Sequence, residues 1–436
     1  MEKFDTIIIG AGPAGLAAAY NLKSNNQKVA VVENNLWGGT CPNRGCDPKK
    51  VLLSGVEARD RMVQLQGKGF DEVPYVNWKE LESFKEKFTD PVSKNSRDGI
   101  VKGGITAIDG QPKFVSDNEI VVNGQDHYQA DKFIIATGQR PSYLNIEGKE
   151  HLLSSTDFLS LKKMPKDITI IGAGYIAFEL ATIANATGAK VHIIHHNDHP
   201  LKEFDQEYAI ELVKQLENKG VDFNFNVDTK EIEQQSNGQY LLRGTDFELT
   251  TDLVIGATGR IANTDFLDLE KADVKYSRHG IQVNDKLQST NSKIYAIGDV
   301  VDTKQPKLTP VGGFEASYVS DVILGKTTQA IVYPLIPTVV YGSPKLAKVG
   351  VQTGVKVINQ DVTSWFTYSH TNENKAKIRI VLNEKSEIIG ATVLSNEADS
   401  FINLLTLAIK QKMTHQDIEK EIFAYPTAAS DLEYLI

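Results

Sequence analysis

The chain has 436 residues, two of them cysteine, and its 47 basic against 56 acidic residues leave a formal charge of −9. An excess of acid disfavours general affinity for nucleic acid or for anionic membrane surfaces. A hydrophobic fraction of 41% beside a charged fraction of 24% is that of an ordinary globular protein and excludes a disordered class; the length suits two or three domains.

Residues 6–20 are uncharged, as a secretory leader would be. Acidic Glu2 and Asp5 precede them, three glycines interrupt them, and no cleavage-like segment precedes the cysteines, so a strand and a helix of a cytoplasmic protein are expected instead. No other stretch reaches the ~18 apolar residues of a membrane span, and no membrane partner is expected. Thr6-Ile7-Ile8-Ile9 runs into Gly10-Ala11-Gly12-Pro13-Ala14-Gly15, then an alanine-rich helix, then Val29-Ala30-Val31-Val32-Glu33. This is a βαβ opening. Gly10 permits the tight turn, Gly12 lets backbone approach a pyrophosphate, and Gly15 lets helix pack on strand, with the phosphates over the helix N-terminus. Glu33 ends the second strand, where a carboxylate can accept hydrogen bonds from a ribose diol.

Cys41 and Cys46 follow at once, in Gly38-Gly39-Thr40-Cys41-Pro42-Asn43-Arg44-Gly45-Cys46-Asp47-Pro48-Lys49-Lys50. Four intervening residues can bring two Cα atoms within the roughly 4.4–6.8 Å a disulfide needs if the chain turns into a helix. So small a ring constrains the unfolded chain only modestly, which makes stabilisation a poor reason for it. Zinc wants about four ligands, but there is no third cysteine and no histidine before His127, so no metal site is expected. Glycines before the pair and lysines after it point to backbone apposed to a ligand and to cations that lower a thiol pKa. The expectation is a reversible dithiol/disulfide.

Residues 50–100 are charged and helical in pattern, and a β-meander is expected over about residues 105–133, leading into Ala136-Thr137-Gly138. Ile168-Thr169-Ile170-Ile171 then opens a second βαβ unit on Gly172-Ala173-Gly174-Tyr175-Ile176-Ala177, with its second strand at Val191-His192-Ile193-Ile194. Strand, glycine turn, helix and strand in this order are the context that makes such a motif a dinucleotide site, and two units imply two dinucleotides. No carboxylate ends this second strand. His196, Asn197 and Lys202 can surround a 2′-phosphate, which favours NADPH, while Asp198 nearby can still reach a ribose and leaves NADH open. Strands leading into Ala257-Thr258-Gly259-Arg260 and Ile294-Tyr295-Ala296-Ile297-Gly298-Asp299 come next. Beyond Tyr333 a β-rich run with Pro334, Pro337 and Pro344 gives way to a hairpin pair and helices, with neither nucleotide signature nor cysteine, as in a structural or association domain.

GAGPAG, GGTCPNRGC, GAGYIAFE, GATGR and YAIGDV, in that order, resemble the class I FAD-dependent pyridine nucleotide–disulfide oxidoreductases, the family of glutathione reductase, dihydrolipoamide dehydrogenase and mercuric reductase. The resemblance covers essentially the whole chain. It implies an α/β fold with two Rossmann-like domains, for FAD and NAD(P), and a C-terminal α+β dimerisation domain. The corresponding segments are 1–150 for the FAD domain with the cysteines, 151–270 for the NAD(P) domain, 271–333 for a return segment completing the FAD domain, and 334–436 for dimerisation.

The resemblance further implies that FAD is held by Gly10, Gly12, Gly15, Glu33, Thr40, Lys50, Thr137, Gly138 and Asp299, the last on the ribityl chain. The coenzyme falls to Gly172, Gly174, Tyr175, Ile176, His196, Asn197, Lys202 and Gly259, with Tyr175 covering the empty nicotinamide pocket. Lys49 and Glu179 would pair beside the flavin, Cys46 would be the sulfur next to it, and Cys41 the one that attacks the acceptor.

Two departures from the pattern bear on that acceptor. Where glutathione and lipoamide reductases carry a histidine and, five residues on, a glutamate supplied by the dimer partner, this chain has Tyr425 and Ser430, with Asp431 one place beyond. The arginines that hold glutathione correspond to Tyr20 and Ser317, and Pro13 replaces a serine. Mercuric reductases share the tyrosine, but their C-terminal cysteine pair is missing. The expectation is therefore a homodimer that reduces a small disulfide-type acceptor other than glutathione. Metal ions, quinones, reactive oxidants and slow redox sensing are the alternatives.

Overall fold

From Thr6 onward the strand Glu2–Ile9 is buried at every residue, the mark of a strand covered on both faces. It pairs in parallel with Val29–Glu33 on one side and Asp126–Ile135 on the other. Thr106–Asp109 extends this sheet beyond Val29–Glu33, and Ile294–Ala296 lies parallel to Asp126–Ile135. The expected meander is thus shorter than its sequence pattern. Pro112–Ser116, Glu119–Val122 and Asp126–Ile135 are antiparallel neighbours, whereas Thr106–Asp109 joins the parallel sheet. β-propensity marks both kinds of strand alike, and the choice is made by a partner remote in sequence.

The structure, a computed structural model, describes residues 2–436. The chain up to Lys49, together with Phe84–Ser142 and Arg260–Tyr333, forms one unit. Its helices Pro13–Lys23 and Thr309–Ile323 pack against each other. Lys50–Ser83, Tyr143–Gly259 and Pro334–Ile436 form the other.

In this second unit the strands Val221–Phe225, Lys190–His195, Asp167–Ile171 and Leu253–Gly256 make a parallel sheet in that order. Helix Tyr175–Ala186 is buried from Ala177 to Ala184, as its near absence of charge dictates. The C-terminal part is a five-stranded antiparallel sheet ordered Thr338–Val340, Lys345–Gly350, Ile388–Ser395, Lys377–Leu382, Lys356–Asp361. Helix Ala398–Lys410 covers it with Phe401, Ile402, Leu405, Ala408 and Ile409, one stripe at helical spacing. Each such large side chain contributes about 1.5–3 kcal/mol of burial. No helix among the described residues is long and apolar enough to cross a membrane.

One buried acid makes this unit sensitive to pH. Glu373 is 7% exposed, its Oε1 accepts from the Asn396 amide at 2.6 Å, and burial pushes its carboxyl up to about 7 from an ordinary 4.5. A raised carboxyl favours the folded state while protonated, so stability present at pH 4 is lost as pH rises toward 7 and beyond, by about 3 kcal/mol. Glu373→Gln keeps an acceptor for Asn396 without the charge. We expect it to flatten the dependence of Tm on pH between 5 and 8 and to be the more stable form at pH 8; parallel curves for the two proteins would reject a buried neutral acid.

Candidate functional site

The first glycine turn is closed so tightly that side chains cannot enter it. A Cβ on Gly15 would lie 2.0 Å from the Gly10 carbonyl oxygen, and Gly10 has φ +107°, where an L side chain is strained. The chain before the cysteines presses on the same turn, because a Cβ on Gly39 would lie 2.5 Å from the Gly12 Cα. Helix Pro13–Lys23 starts at Gly12 with no side-chain cap and no acid in its first turn. Its first amides and its dipole therefore remain available to a phosphate. Glu33 receives the Ala11 amide on Oε2 at 2.7 Å and the Asn35 amide on Oε1 at 2.8 Å. Burial pushes this carboxyl up, against those amides and Arg44. These are the features a dinucleotide such as FAD requires.

Cys41 stands in the short helix Thr40–Arg44 and Cys46 opens the helix Cys46–Gln64, with Gly45 as the joint. Asn43 holds the approach by donating to the carbonyls of Trp37, at 2.9 Å, and Gly39, at 2.8 Å. Trp37 is itself fixed by its indole N–H on Asp109 at 2.7 Å, and Arg97 grips the same carboxylate. Cys41 is half-buried and Cys46 exposed. The Cys46 thiol and burial push Cys41 well above the ordinary thiol range, while the Thr309 hydroxyl pulls it down.

Thr137 and Gly138 are pinned by Asn263: Thr137 Oγ1 donates to the Asn263 carbonyl at 2.7 Å, and the Asn263 amide returns to the Gly138 carbonyl at 3.0 Å. Strand Gln139–Pro141 pairs there with Arg260–Ala262, and the Arg260 guanidinium donates to the Gln139 carbonyl at 2.6 Å. Asp299 sits in the turn Gly298–Val300, where burial pushes its carboxyl up and Arg260 and Lys307 hold it down. Thr40 opens the helix bearing Cys41, and Lys49 ends the first stretch of this unit. Tyr20 and Ser317 are neutral hydroxyls of the same unit. Tyr20 is 43% exposed, and Ser317 donates to the Gly313 carbonyl at 3.2 Å.

The second unit repeats the arrangement. A Cβ on Gly172 would lie 2.4 Å from the Ala257 carbonyl oxygen, whereas one on Gly174 would meet nothing within 4 Å, leaving open space before helix Tyr175–Ala186. That helix too has no side-chain cap and no first-turn acid. Tyr175 is 44% exposed at its start, and Ile176 packs against the core. Glu179, on the buried face, accepts the Tyr341 amide on Oε1 at 2.9 Å, and the Lys50 ammonium stands 2.9 Å above the Tyr341 ring centroid. Gly259 closes the strand-end turn at φ +114°.

At the end of strand Lys190–His195, Asn197 Oδ1 accepts the His199 amide at 2.9 Å, which turns its Nδ2 toward His196 Nε2, also at 2.9 Å. Lys202 is 84% exposed, 4.0 Å from Glu203. Asp198 is occupied by His199 at 2.5 Å.

Tyr425 is 70% exposed and stacks on Phe366 with centroids 6.1 Å apart, and Phe366 stacks in turn on His370. Ser430 is spent locally, donating to the Thr427 carbonyl at 2.8 Å. Asp431 is buried and receives the Thr367 hydroxyl at 3.0 Å.

Sequence reasoning missed several contributors. Tyr341 and Asn263 act through main-chain contacts that leave no motif of their own. Thr309-Pro310 did carry a signal, since proline at the first turn marks a helix start.

Residues 4–316 match the family model described as pyridine nucleotide-disulphide oxidoreductase, and residues 336–435 match that family's dimerisation domain. The chain is 31% identical to a glutathione reductase of Nostoc sp. over 98% of both chains. It is 32% identical to a dihydrolipoyl dehydrogenase of Bacillus subtilis, over 97% of this chain and 93% of that one. It is also 30% identical to a mercuric reductase of Staphylococcus aureus, over 99% of this chain and 81% of that one. Among solved structures it is similar to the HOCl-induced flavoprotein disulfide reductase RclA from Escherichia coli, in its Cu(II) complex. The TM-score is 0.90 at 24% identity, over 100% of this chain and 99% of that one, a likeness of fold.

Proposed function

The chain belongs to the pyridine nucleotide-disulphide oxidoreductases, FAD-dependent enzymes that take electrons from NAD(P)H, and we propose that it passes them through Cys41 and Cys46 to a small disulfide other than glutathione. The observation that carries this reading is the cysteine pair on two helices joined at Gly45, reached through a Gly39 backbone pressed on the first dinucleotide turn. FAD, when bound, supplies the two-electron relay between nicotinamide and sulfur. Gly10, Gly12, Gly15, Thr40, Lys50, Thr137 and Gly138 would hold it, Glu33 its ribose and Asp299 its ribityl chain. Lys49 and Glu179 would tune it electrostatically.

NAD(P)H supplies the two electrons of the sulfur chemistry, and the protons come from the coenzyme's hydride transfer and from solvent. Two electrons open the Cys41–Cys46 disulfide. The Cys41 thiolate attacks one sulfur of the acceptor, whose S–S bond breaks as the mixed disulfide forms, and the departing thiolate takes a proton. The Cys46 thiolate then attacks Cys41, restoring the internal disulfide and expelling the second half of the acceptor as a thiolate, which takes a proton from solvent.

Neutral Tyr20 and Ser317 support exclusion of glutathione, whose carboxylates want fixed cations. Engagement of Asp198 by His199, with Lys202 exposed in the same segment of chain as His196 and Asn197, supports NADPH. An exposed Tyr425 in the dimerisation segment supports a homodimer in which it serves the partner's cysteines. One observation favours a second reading. Tyr425 stands where the resembled reductases carry histidine and is 70% exposed, and a phenol is a poor base at neutral pH. A metal ion, quinone or reactive oxidant needs less proton transfer, and the mercuric reductase relative is named for such an acceptor.

An acceptor panel with the purified holoenzyme separates the readings. Turnover with a small disulfide, with kcat/KM higher for NADPH than NADH, is expected. Tyr425→His should then raise disulfide turnover, toward the ~10²–10⁴ a positioned acid–base group supplies. Turnover confined to metals or quinones and untouched by Tyr425→His transfers the assignment to the second reading.

A further inference from the structure

We propose that Glu315 is a positioning residue for the cofactor site, its carboxylate clamping the Gly298 amide so that Asp299 is presented in one fixed direction. This rests on the reading above that Asp299 receives FAD. Glu315 lies within helix Thr309–Ile323 at 1% exposure, a place where a carboxylate is costly unless fully hydrogen-bonded. Both its oxygens are used. Oε2 accepts from the Gly298 amide at 2.6 Å and Oε1 accepts from the Tyr333 hydroxyl at 2.7 Å. Burial still pushes the carboxyl up, opposed by these two donors and by Lys307.

The turn it holds needs holding. Gly298 has φ +72°, and the chain closes behind it when the Val301 amide donates to the Gly298 carbonyl at 3.1 Å. The helix backbone already presses on this turn, because a Cβ on Gly312 would lie 3.4 Å from the Gly298 Cα and 3.1 Å from the Ala14 Cβ. Packing thus fixes how near the turn lies, and the clamp on Gly298 fixes its rotation. Asp299 is the next residue. Arg260 and Lys307 act on its charge, so buried Glu315 stands in a set of two acids and two bases whose other members, Asp299, Arg260 and Lys307, are half-buried. The same helix begins at Thr309, whose hydroxyl reaches Cys41. One rigid element therefore registers the attacking sulfur and the Asp299 turn together.

The test is FAD release from the holoenzyme, followed by flavin fluorescence on dilution. Glu315→Leu should raise the FAD Kd about tenfold or more, the scale of a lost hydrogen bond to a charged group. Glu315→Gln should stay within about threefold, because its amide oxygen still accepts from Gly298 and its NH2 can donate to the Tyr333 hydroxyl. A merely space-filling residue would show no such rescue. Tyr333→Phe, which removes only the outer support, should weaken FAD about two- to fivefold and serves if the leucine variant does not fold. Glu315→Leu with the wild-type Kd, Glu315→Gln as weak as leucine, or Tyr333→Phe without effect would each overturn the proposal. A wild-type protein that holds no FAD removes the reading beneath it, and this inference with it.

Discussion

Cys46→Ser should lower turnover with a disulfide acceptor by on the order of 10³-fold or more, the usual loss when a nucleophile that works as part of a unit is removed. A serine hydroxyl cannot form the internal disulfide, so the pair can neither store two electrons nor resolve a mixed disulfide on Cys41. Cys46 lies outside the Gly10–Gly15 turn, at the exposed start of helix Cys46–Gln64, so FAD should be retained. The variant can therefore be compared with wild type at equal flavin content. Anaerobic dithionite titration gives an independent count. Wild type should consume about four reducing equivalents per flavin and Cys46→Ser about two, because each redox centre takes a pair. Unimpaired turnover of the variant with quinone or metal, alongside loss of disulfide turnover, would show that such acceptors bypass the sulfurs. Unimpaired disulfide turnover would end the assignment of Cys41 and Cys46 as the redox pair.

Gly15→Val should abolish FAD retention, through a direct steric clash with backbone. Its Cβ would stand 2.0 Å from the Gly10 carbonyl oxygen, a backbone atom at the strand end that cannot swing aside. Helix Pro13–Lys23 must then move off the strand, at about 1–3 kcal/mol or more for overpacking, and its N-terminal amides leave the phosphate position. We expect the purified variant to be colourless, with FAD affinity down by about 10² or more, since two or more phosphate hydrogen bonds are lost together. Gly174→Ala is the matched control in the other unit. No atom lies within 4 Å of its added Cβ, so stability should change by no more than about 0.5 kcal/mol, while the KM for coenzyme rises if the open space belongs to that ligand. A yellow Gly15→Val protein with normal flavin content would show that the turn can relax.

Both nucleotide units were legible in the sequence because each is local: a buried strand, a glycine turn, a helix start and a second strand lie within a few tens of residues. The glycines at 10, 15 and 172 are dictated by close backbone contacts, so residue type alone announced them. The cysteine pair was legible for the same reason, with Gly45 as the joint between its two helices. The departures at Tyr425 and Ser430 were also visible, but not what those side chains do. Only the folded chain stacks Tyr425 on Phe366 and spends Ser430 on Thr427.

Local pattern by itself thus determined the two dinucleotide folds and their glycines, and it singled out Glu33 and the Cys41, Cys46 pair as candidates. Tertiary structure decided the rest: that Thr106–Asp109 joins the parallel sheet, that Asp198 is taken by His199, that Trp37 hangs on Asp109, and that Glu315 reaches Gly298. Strand pairing and buried hydrogen bonds between remote residues are selected by which partner satisfies a backbone amide or a desolvated carboxylate. No spacing along the chain encodes that choice, because the partners meet only after the sheets have closed.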